Sequence, residues 1–302
     1  MADRTQINAT YNYMDELFRL SMGEYGDITA AMYNGDFSKS LESAQADKHD
    51  YILQGIRFAP GHRILDIGCG WGGLLHAIRE RGGQGVGLTL SSAQAESCKL
   101  KGLDVRPVDW KELDPDQFGR FDGVASVGAF EHFCSEEEHY AGRQVEIYRS
   151  FFRLCADLLP SDGRLYLQTM LFGTGLPPWD TVNLDSPRDS DARVLAILRK
   201  FYPGSFLPES VDQIQDSAAP YFRIVSLNNG RLDYIETLTQ WGLRLKKFSW
   251  KKALAAARTS RYFFTDPDFR YKLELLRRSY NVEAFRRGLF DHQRIVFEKV
   301  AG

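Results

Sequence analysis

The sequence predicts an α/β fold with a parallel sheet, and three observations predict it. Arg63 to Ile67 is a short apolar run that ends in Gly68-Cys-Gly70-Trp-Gly72-Gly73 and leads into Leu74, Leu75 and Ile78 at helical spacing, the pattern of strand, glycine turn and helix. The same step recurs at Gly85 to Leu90, which runs into Ser91-Ser-Ala-Gln94, where serine can cap a helix, and at the short strand Val105 to Val108. Phe121 to Val127 and Gly163 to Met170 then supply two more strands, separated by a helix carrying Phe151, Phe152, Leu154, Leu158 and Leu159. Strands joined by helices lie parallel, so the sheet is at least five strands wide.

The flanking segments follow from their periodicity and their breakers. Residues 8–20 and 41–58 repeat apolar positions at helical spacing, so two helices precede the first strand. Residues 173–219 contain Pro177, Pro178, Pro187, Pro203 and Pro208 with several glycines. That composition is too broken for sheet and too apolar for a linker, and it reads as an inserted cap. Tyr221 to Leu227 and Leu289 to Glu298 are late strands, with helical stretches near 233–257 and 267–287 between them. The chain is expected to form one domain: N-terminal helices to residue 58, a ligand-binding core over 60–172, the cap over 173–219 and a C-terminal part over 220–302.

Composition bounds the function. With 302 residues, 43% hydrophobic and 26% charged, the chain can bury a large core. A net charge of -2 excludes the global basic excess typical of nucleic-acid binders. No apolar run reaches the ~18 residues of a membrane span, and the first residues have neither a signal-peptide core nor a transit pattern, so a cytoplasmic protein is expected. The four cysteines, Cys69, Cys98, Cys134 and Cys155, are spread through the chain without a C-x-x-C pair, which argues against a disulfide framework or a zinc ribbon. Aromatic residues make up 13%, which suits an apolar ligand cavity and a plain large core equally.

The glycine turn is the first candidate site. In Asp66-x-Gly68-x-Gly70-x-Gly72 the glycines let the backbone approach a ligand at the carboxyl end of the first strand. The spacing differs from G-x-G-x-x-G, and the acid ahead of the first glycine suits a cofactor without a pyrophosphate, such as S-adenosylmethionine. The turn alone fits another nucleotide role or a structural bend equally well.

The wider pattern carries a resemblance. Leu65-Asp-Ile-Gly-Cys-Gly-Trp-Gly-Gly73, Gly87-Leu-Thr-Leu-Ser-Ser-Ala-Gln94 and Val127-Gly-Ala-Phe-Glu-His-Phe133 closely resemble the cyclopropane fatty acid and mycolic acid synthase family of S-adenosylmethionine-dependent methyltransferases. Tyr11 to Phe18, Leu41 to Gln45, Tyr202 to Pro208, Tyr234 to Trp241 and Phe285 to Gln293 look like the family's other landmarks, so nearly the whole chain is covered. The resemblance implies a seven-stranded Rossmann-like class I methyltransferase sheet. It also implies cofactor contacts from Ile28, Thr29, Asp66, Gly68, Cys69, Gly70, Gly72, Leu88, Thr89, Gln94, Asp109 and Trp110. Thr89 and Gln94 can hydrogen-bond the ribose or the methionyl end, and Trp110 offers an aromatic face to adenine, although packing alone would also explain a buried tryptophan.

Glu131 follows an apolar strand at the carboxyl edge of the sheet, where ligands collect. A carboxylate there can stabilise the positive charge that forms when an alkene attacks a sulfonium methyl; the plainer reading is a helix-start glutamate. By resemblance the matching glutamate also holds a bicarbonate ion that removes the proton. Tyr234 sits where the family has a site tyrosine, and its plainer reading is a core tyrosine. Three positions depart from the cyclopropane-forming pattern: Ala30 and Asn281 replace cysteines, and Gln168 replaces a histidine. Glutamine can donate a hydrogen bond but cannot titrate, so methyl transfer is better supported than ring closure, and a methyl-branched or methylene product is expected ahead of a cyclopropane.

Glu131, His132, Cys134, Glu136 and His139 match no standard metal spacing, and no metal is expected. Aromatic and apolar residues of the cap, such as Phe172, Trp179 and Phe206, could line an acyl channel. Residues 244–261 carry Arg244, Lys246, Lys247, Lys251, Lys252, Arg258 and Arg261 with no acid, interleaved with Phe248, Trp250 and Leu254. Such a stretch can dock an acyl carrier protein or an anionic membrane surface, or be a solvated helix face. The expected function is therefore S-adenosylmethionine-dependent transfer of a methyl or methylene group to an unsaturated acyl lipid, peripheral at the membrane if the basic stretch binds lipid. The alternatives are a small-molecule C- or N-methyltransferase and a non-catalytic binder of the cofactor.

Overall fold

The elements fall where the apolar runs and caps put them. The computed structural model describes residues 21–202, 204–259, 271, 274–275 and 278–300; the helix expected over residues 8–20 lies outside them. Helix α1 (Leu41–Gly55), capped by the Ser40 side chain, leads into β1 (Arg63–Ile67), α2 (Gly73–Glu80) and β2 (Gln84–Leu88). Next come α3 (Ser92–Leu100), β3 (Asp104–Arg106), the short α4 (Pro115–Phe118) and β4 (Gly123–Val127). Ser91 caps α3, its hydroxyl accepting from the Gln94 amide. Helices α5 (Glu136–Tyr140) and α6 (Gln144–Leu158) precede β5 (Arg164–Phe172), and α7 (Asp191–Phe201) and α8 (Val211–Ala218) precede β6 (Phe222–Asn229). The C-terminal part holds α9 (Arg231–Lys246), α10 (Trp250–Thr259), α11 (Tyr280–Arg286) and β7 (Phe290–Lys299).

The seven strands form one sheet in the order β3-β2-β1-β4-β5-β7-β6. β1 to β5 pair in parallel and β7 runs antiparallel to both β5 and β6. The order reverses between β1 and β4, which opens a crevice at the carboxyl ends of those strands. Both faces are covered, as a largely parallel sheet requires. Ile52 and Leu53 of α1, Ile56 just after it, and Leu74, Leu75 and Ile78 of α2 pack on one face, against Ile64, Tyr166 and Val296. On the other, Phe151, Phe152 and Leu158 of α6 meet Leu65, Leu167, Ile295 and Phe297. Much of the aromatic content is spent here: Phe130, Phe133, Tyr148, Phe151 and Phe152 form one network of ring contacts.

Two expected boundaries shift. The stretch 233–257 is two helices, because Lys247 turns extended and Ser249 starts a new helix by accepting from the Lys252 amide. The expected cap is divided: α7 buries Val194, Leu195 and Leu198 against Tyr280 and Ala284 of α11, whereas Ile214 and Ala218 of α8 join the core under α6. The apolar face of α8 thus makes it part of the layer over the sheet. Among the described residues no helix is long and apolar enough to cross a membrane.

Candidate active site

A cleft of about 1040 Å³, solvent at its mouth included, lies over the crevice between β1 and β4. Eleven residues expected to contact a cofactor line it: Ile28, Thr29, Asp66, Gly68, Cys69, Gly70, Leu88, Thr89, Gln94, Asp109 and Trp110. Gly72, the twelfth, does not. It caps α2 at φ 81°, and a Cβ there would come within 2.6 Å of Leu103 and 3.0 Å of Cys98, so packing on α3 and its following turn requires this glycine. Gly70 has φ 53°, and a Cβ added there would meet no atom within 4 Å, which leaves its backbone open to a ligand.

Local geometry explains the polar wall. Thr89 Oγ1 donates to Gln94 Oε1 at 2.7 Å and accepts from the Ser91 amide at 3.1 Å, so the end of β2 and the first turn of α3 form one rigid unit. Asp109 accepts from the Lys111 amide and starts the turn that presents Trp110. Trp110 packs on Phe133 and Phe151 at ring distances of 5.1 and 5.5 Å while also lining the cleft, and its indole nitrogen is buried without a partner. It is therefore both core and wall.

Three cleft residues escaped the reading of the sequence. Lys48 Nζ meets Asp27 Oδ2 at 2.6 Å and donates to Thr29 Oγ1 at 3.0 Å, and His49 Nε2 meets the same Asp27 oxygen at 2.8 Å. Burial alone would raise the Asp27 carboxyl, but the two neighbouring bases outweigh it and hold it well below the usual range. Beside it, burial and then repulsion from Asp27 lift Asp66 to about 7, and Asp66 Oδ1 is buried without a partner. A signal was present: Lys48 and His49 fall on the same face of α1 as buried Leu41, Ala44 and Ile52, where a charged residue needs a reason.

Glu131 sits between Ala129 and His132, which both line the cleft, but is itself 3% exposed behind its wall. Its Oε1 accepts from the Met170 amide at 2.7 Å, and its Oε2 is buried without a partner. Burial raises its carboxyl to about 7 despite that hydrogen bond. His132 places Nδ1 2.7 Å from Ser205 Oγ, and burial lowers it to about 4, so it is neutral. Gln168 lies across from Val127 on the neighbouring strand, with its main-chain oxygen accepting from the Gly128 amide. Tyr234, in the first turn of α9, packs edge-on to His292 with ring centres 5.1 Å apart. His292 is the β7 partner of Met170. Glu131 and Tyr234 both approach the Met170–His292 rung, Gln168 lies two residues along β5 opposite Arg294, and none of the three lines the cleft. The nearby metal-type side chains disperse: Glu136 pairs with Arg199, and His139 bonds Gln144 and stacks on Phe206. Among the described residues no group of three could hold a metal ion.

The model of the mycolic acid cyclopropane synthetase family matches residues 1–274. The chain belongs to this family. It is 32% identical over 254 residues to cyclopropane mycolic acid synthase 2 of Mycobacterium leprae, covering 80% of this chain and 79% of that protein. Cyclopropane mycolic acid synthase 1 of Mycobacterium tuberculosis is likewise 32% identical, over 80% of this chain and 81% of its own. The structure of mycolic acid cyclopropane synthase CmaA1, complexed with SAH and CTAB, superposes with a TM-score of 0.76 at 26% identity, covering 98% of both chains. That of the cyclopropane synthase MmaA2 from Mycobacterium tuberculosis gives 0.77 at 25%, also over 98% of both. Within this family of S-adenosylmethionine-dependent methyltransferases the chain's departures have definite surroundings. Ala30 is fully buried and its carbonyl accepts from Gln168 Nε2 at 3.1 Å, while Gln168 Oε1 accepts from Tyr166 at 3.1 Å. Asn281 donates to Tyr202 at 3.2 Å, away from that rung.

Proposed function

We propose that the protein transfers a methyl or methylene group from S-adenosylmethionine to the double bond of an unsaturated acyl lipid. The observation that carries this reading is the half-satisfied carboxyl of Glu131, enclosed directly behind a glycine-turn cleft whose residues suit the cofactor. The orphaned Asp66 oxygen fits an ammonium group, Gly70 leaves room for close approach, and Trp110 offers a flat aromatic wall. When bound, S-adenosylmethionine supplies an electrophilic methyl on a sulfonium. Glu131 then stabilises the positive charge that develops on the acyl carbon. Its Oε2 is buried without a hydrogen-bond partner, the Thr169 hydroxyl nearby lowers the carboxyl only weakly against burial, and low local polarity strengthens the attraction. Neutral His132 adds no opposing charge. Tyr234, with His292 beside it, contributes an aromatic face to the same region.

Gln168 decides how the cation is quenched. Its carbonyl is taken by Tyr166 and one amide hydrogen by Ala30, leaving a single N–H for a bicarbonate ion. So weak an anion site favours loss to solvent of a proton from the new methyl after a hydride shift, leaving a methylene branch, or from the neighbouring chain carbon, leaving a methyl-branched alkene, over the proton loss that closes the ring. Incubating lipid extracts with methyl-labelled cofactor should place the label in acyl chains, and proton NMR should show methyl or methylene branches. A methylene branch and a cyclopropane are isomers, so mass alone does not separate them. High-field cyclopropane protons as the main signal would show that Gln168 supports the anion well; no label in any lipid would defeat the assignment.

Cofactor affinity should depend on pH through Asp66. Its carboxyl, raised to about 7, attracts the cofactor's ammonium group only when ionised. Binding measured by calorimetry should therefore be tightest above about pH 7 and weaken below it. Asp66→Asn should bind weakly with no such slope, and a flat profile in the unmodified protein would remove Asp66 from this role.

A further inference from the structure

The basic stretch after α9 resolves into two sets of side chains. One is internal: Arg244 forms a fork with Glu42, with Nη2 2.7 Å from Oε2, and Lys252 Nζ donates to the main-chain oxygens of Arg244 and Lys247, closing the end of α9. The other is outward: Lys246, Lys247 and Lys251 are exposed and make no ion pair among the described residues. Between them stand Phe248 and Trp250, 75% and 77% exposed, with rings edge-to-face at 5.3 Å, and Leu254, 59% exposed one turn further along α10. Arg258's side chain and Arg261 lie outside the described set.

We propose that the surface formed by Lys246, Lys247, Phe248, Trp250, Lys251 and Leu254 docks the protein on an anionic lipid bilayer. This rests on the acyl-lipid reading above in that it says where the substrate is met. Two large aromatic rings and a leucine exposed among exposed lysines match the composition of an interfacial surface, apolar groups entering the acyl boundary while ammonium groups meet the headgroups. An acidic carrier protein would satisfy the lysines but would need to cover both rings as well. The patch is local, since the whole chain carries a charge of -2, so attraction to an anionic surface also orients the molecule. Arg244 and Lys252 brace it from beneath. The helix ending at the patch begins beside the active site: Tyr234 and Lys246 are separated by about 18 Å along α9.

Sedimentation with phosphatidylcholine vesicles, with and without phosphatidylglycerol, tests this. The protein should bind the phosphatidylglycerol vesicles, with a blue shift in tryptophan emission that Trp250→Phe removes, and should be released by high salt. The triple reversal Lys246→Glu, Lys247→Glu, Lys251→Glu should lower vesicle affinity on the order of 100-fold or more. Phe248→Ser with Trp250→Ser should weaken binding and leave the salt slope unchanged. Equal binding to neutral vesicles, an unaffected triple variant, or binding to acyl carrier protein in place of vesicles would overturn the proposal. Methyl transfer to detergent-dispersed acyl substrate is measured alongside and should be unaltered in both variants. Docking without any transfer would sink the assigned reaction and leave the docking surface standing; transfer without docking would do the reverse.

Discussion

Glu131→Gln should lose turnover on the order of 10²–10³-fold with little change in cofactor affinity, as expected for removal of one preorganised charge from a dry site. The substitution keeps the acceptor for the Met170 amide and deletes only the charge. Two further readouts separate this role from a structural one. Because burial raises Glu131 to about 7, the unmodified enzyme should show activity rising as pH increases through about 7, and the glutamine variant should lose that contribution. Stability should move the other way. A carboxyl whose folded value lies above its unfolded 4.5 binds more protons when folded, so stability is greatest below about 4.5 and is lost as pH climbs towards 7. A shift of that size corresponds to about 3 kcal/mol above pH 7, so Glu131→Gln should melt no lower than the unmodified protein at pH 8. A variant that is inactive and also much less stable there would mark Glu131 as a structural residue.

Gly70→Val should abolish binding of S-adenosylmethionine and of its demethylated product by calorimetry. At φ 53° a β-branched residue is strained by about 1–3 kcal/mol. No protein atom stands within 4 Å of the new Cβ, so the side chain enters the cleft. The strain is small enough for the fold to survive, which circular dichroism would check. Gly70→Ala should bind with intermediate affinity. Retention of full affinity by a folded valine variant would move the ligand away from this turn.

Most of the sheet was legible because strand and helix periods are local. Runs such as Ile64 to Ile67 and the capping serines at 40 and 91 carry their own instructions in a few residues. The break at Lys247 to Ser249 was not legible, because an unbroken helical pattern spans it and the turn is fixed by Lys252 reaching back to close α9. Nor was the assignment of α8 to the main layer, since proline-rich surroundings obscured a face that only α6 explains.

The sequence by itself determined the order of turns along the sheet, the glycine approach at Gly70 and the placing of Glu131 at the carboxyl edge of β4. Each depends on neighbours within a few residues. Only the tertiary structure decided that Asp27, Lys48 and His49 share the cleft with Asp66, that Arg244 is spent on Glu42 while Lys246 and Lys251 are exposed and make no ion pair among the described residues, and that His292 stands beside Tyr234. Those partners lie from about twenty to about two hundred residues apart in the chain. A side chain's local pattern says that it is charged or buried; the charge that answers it is set by which distant segment the packed sheet brings alongside.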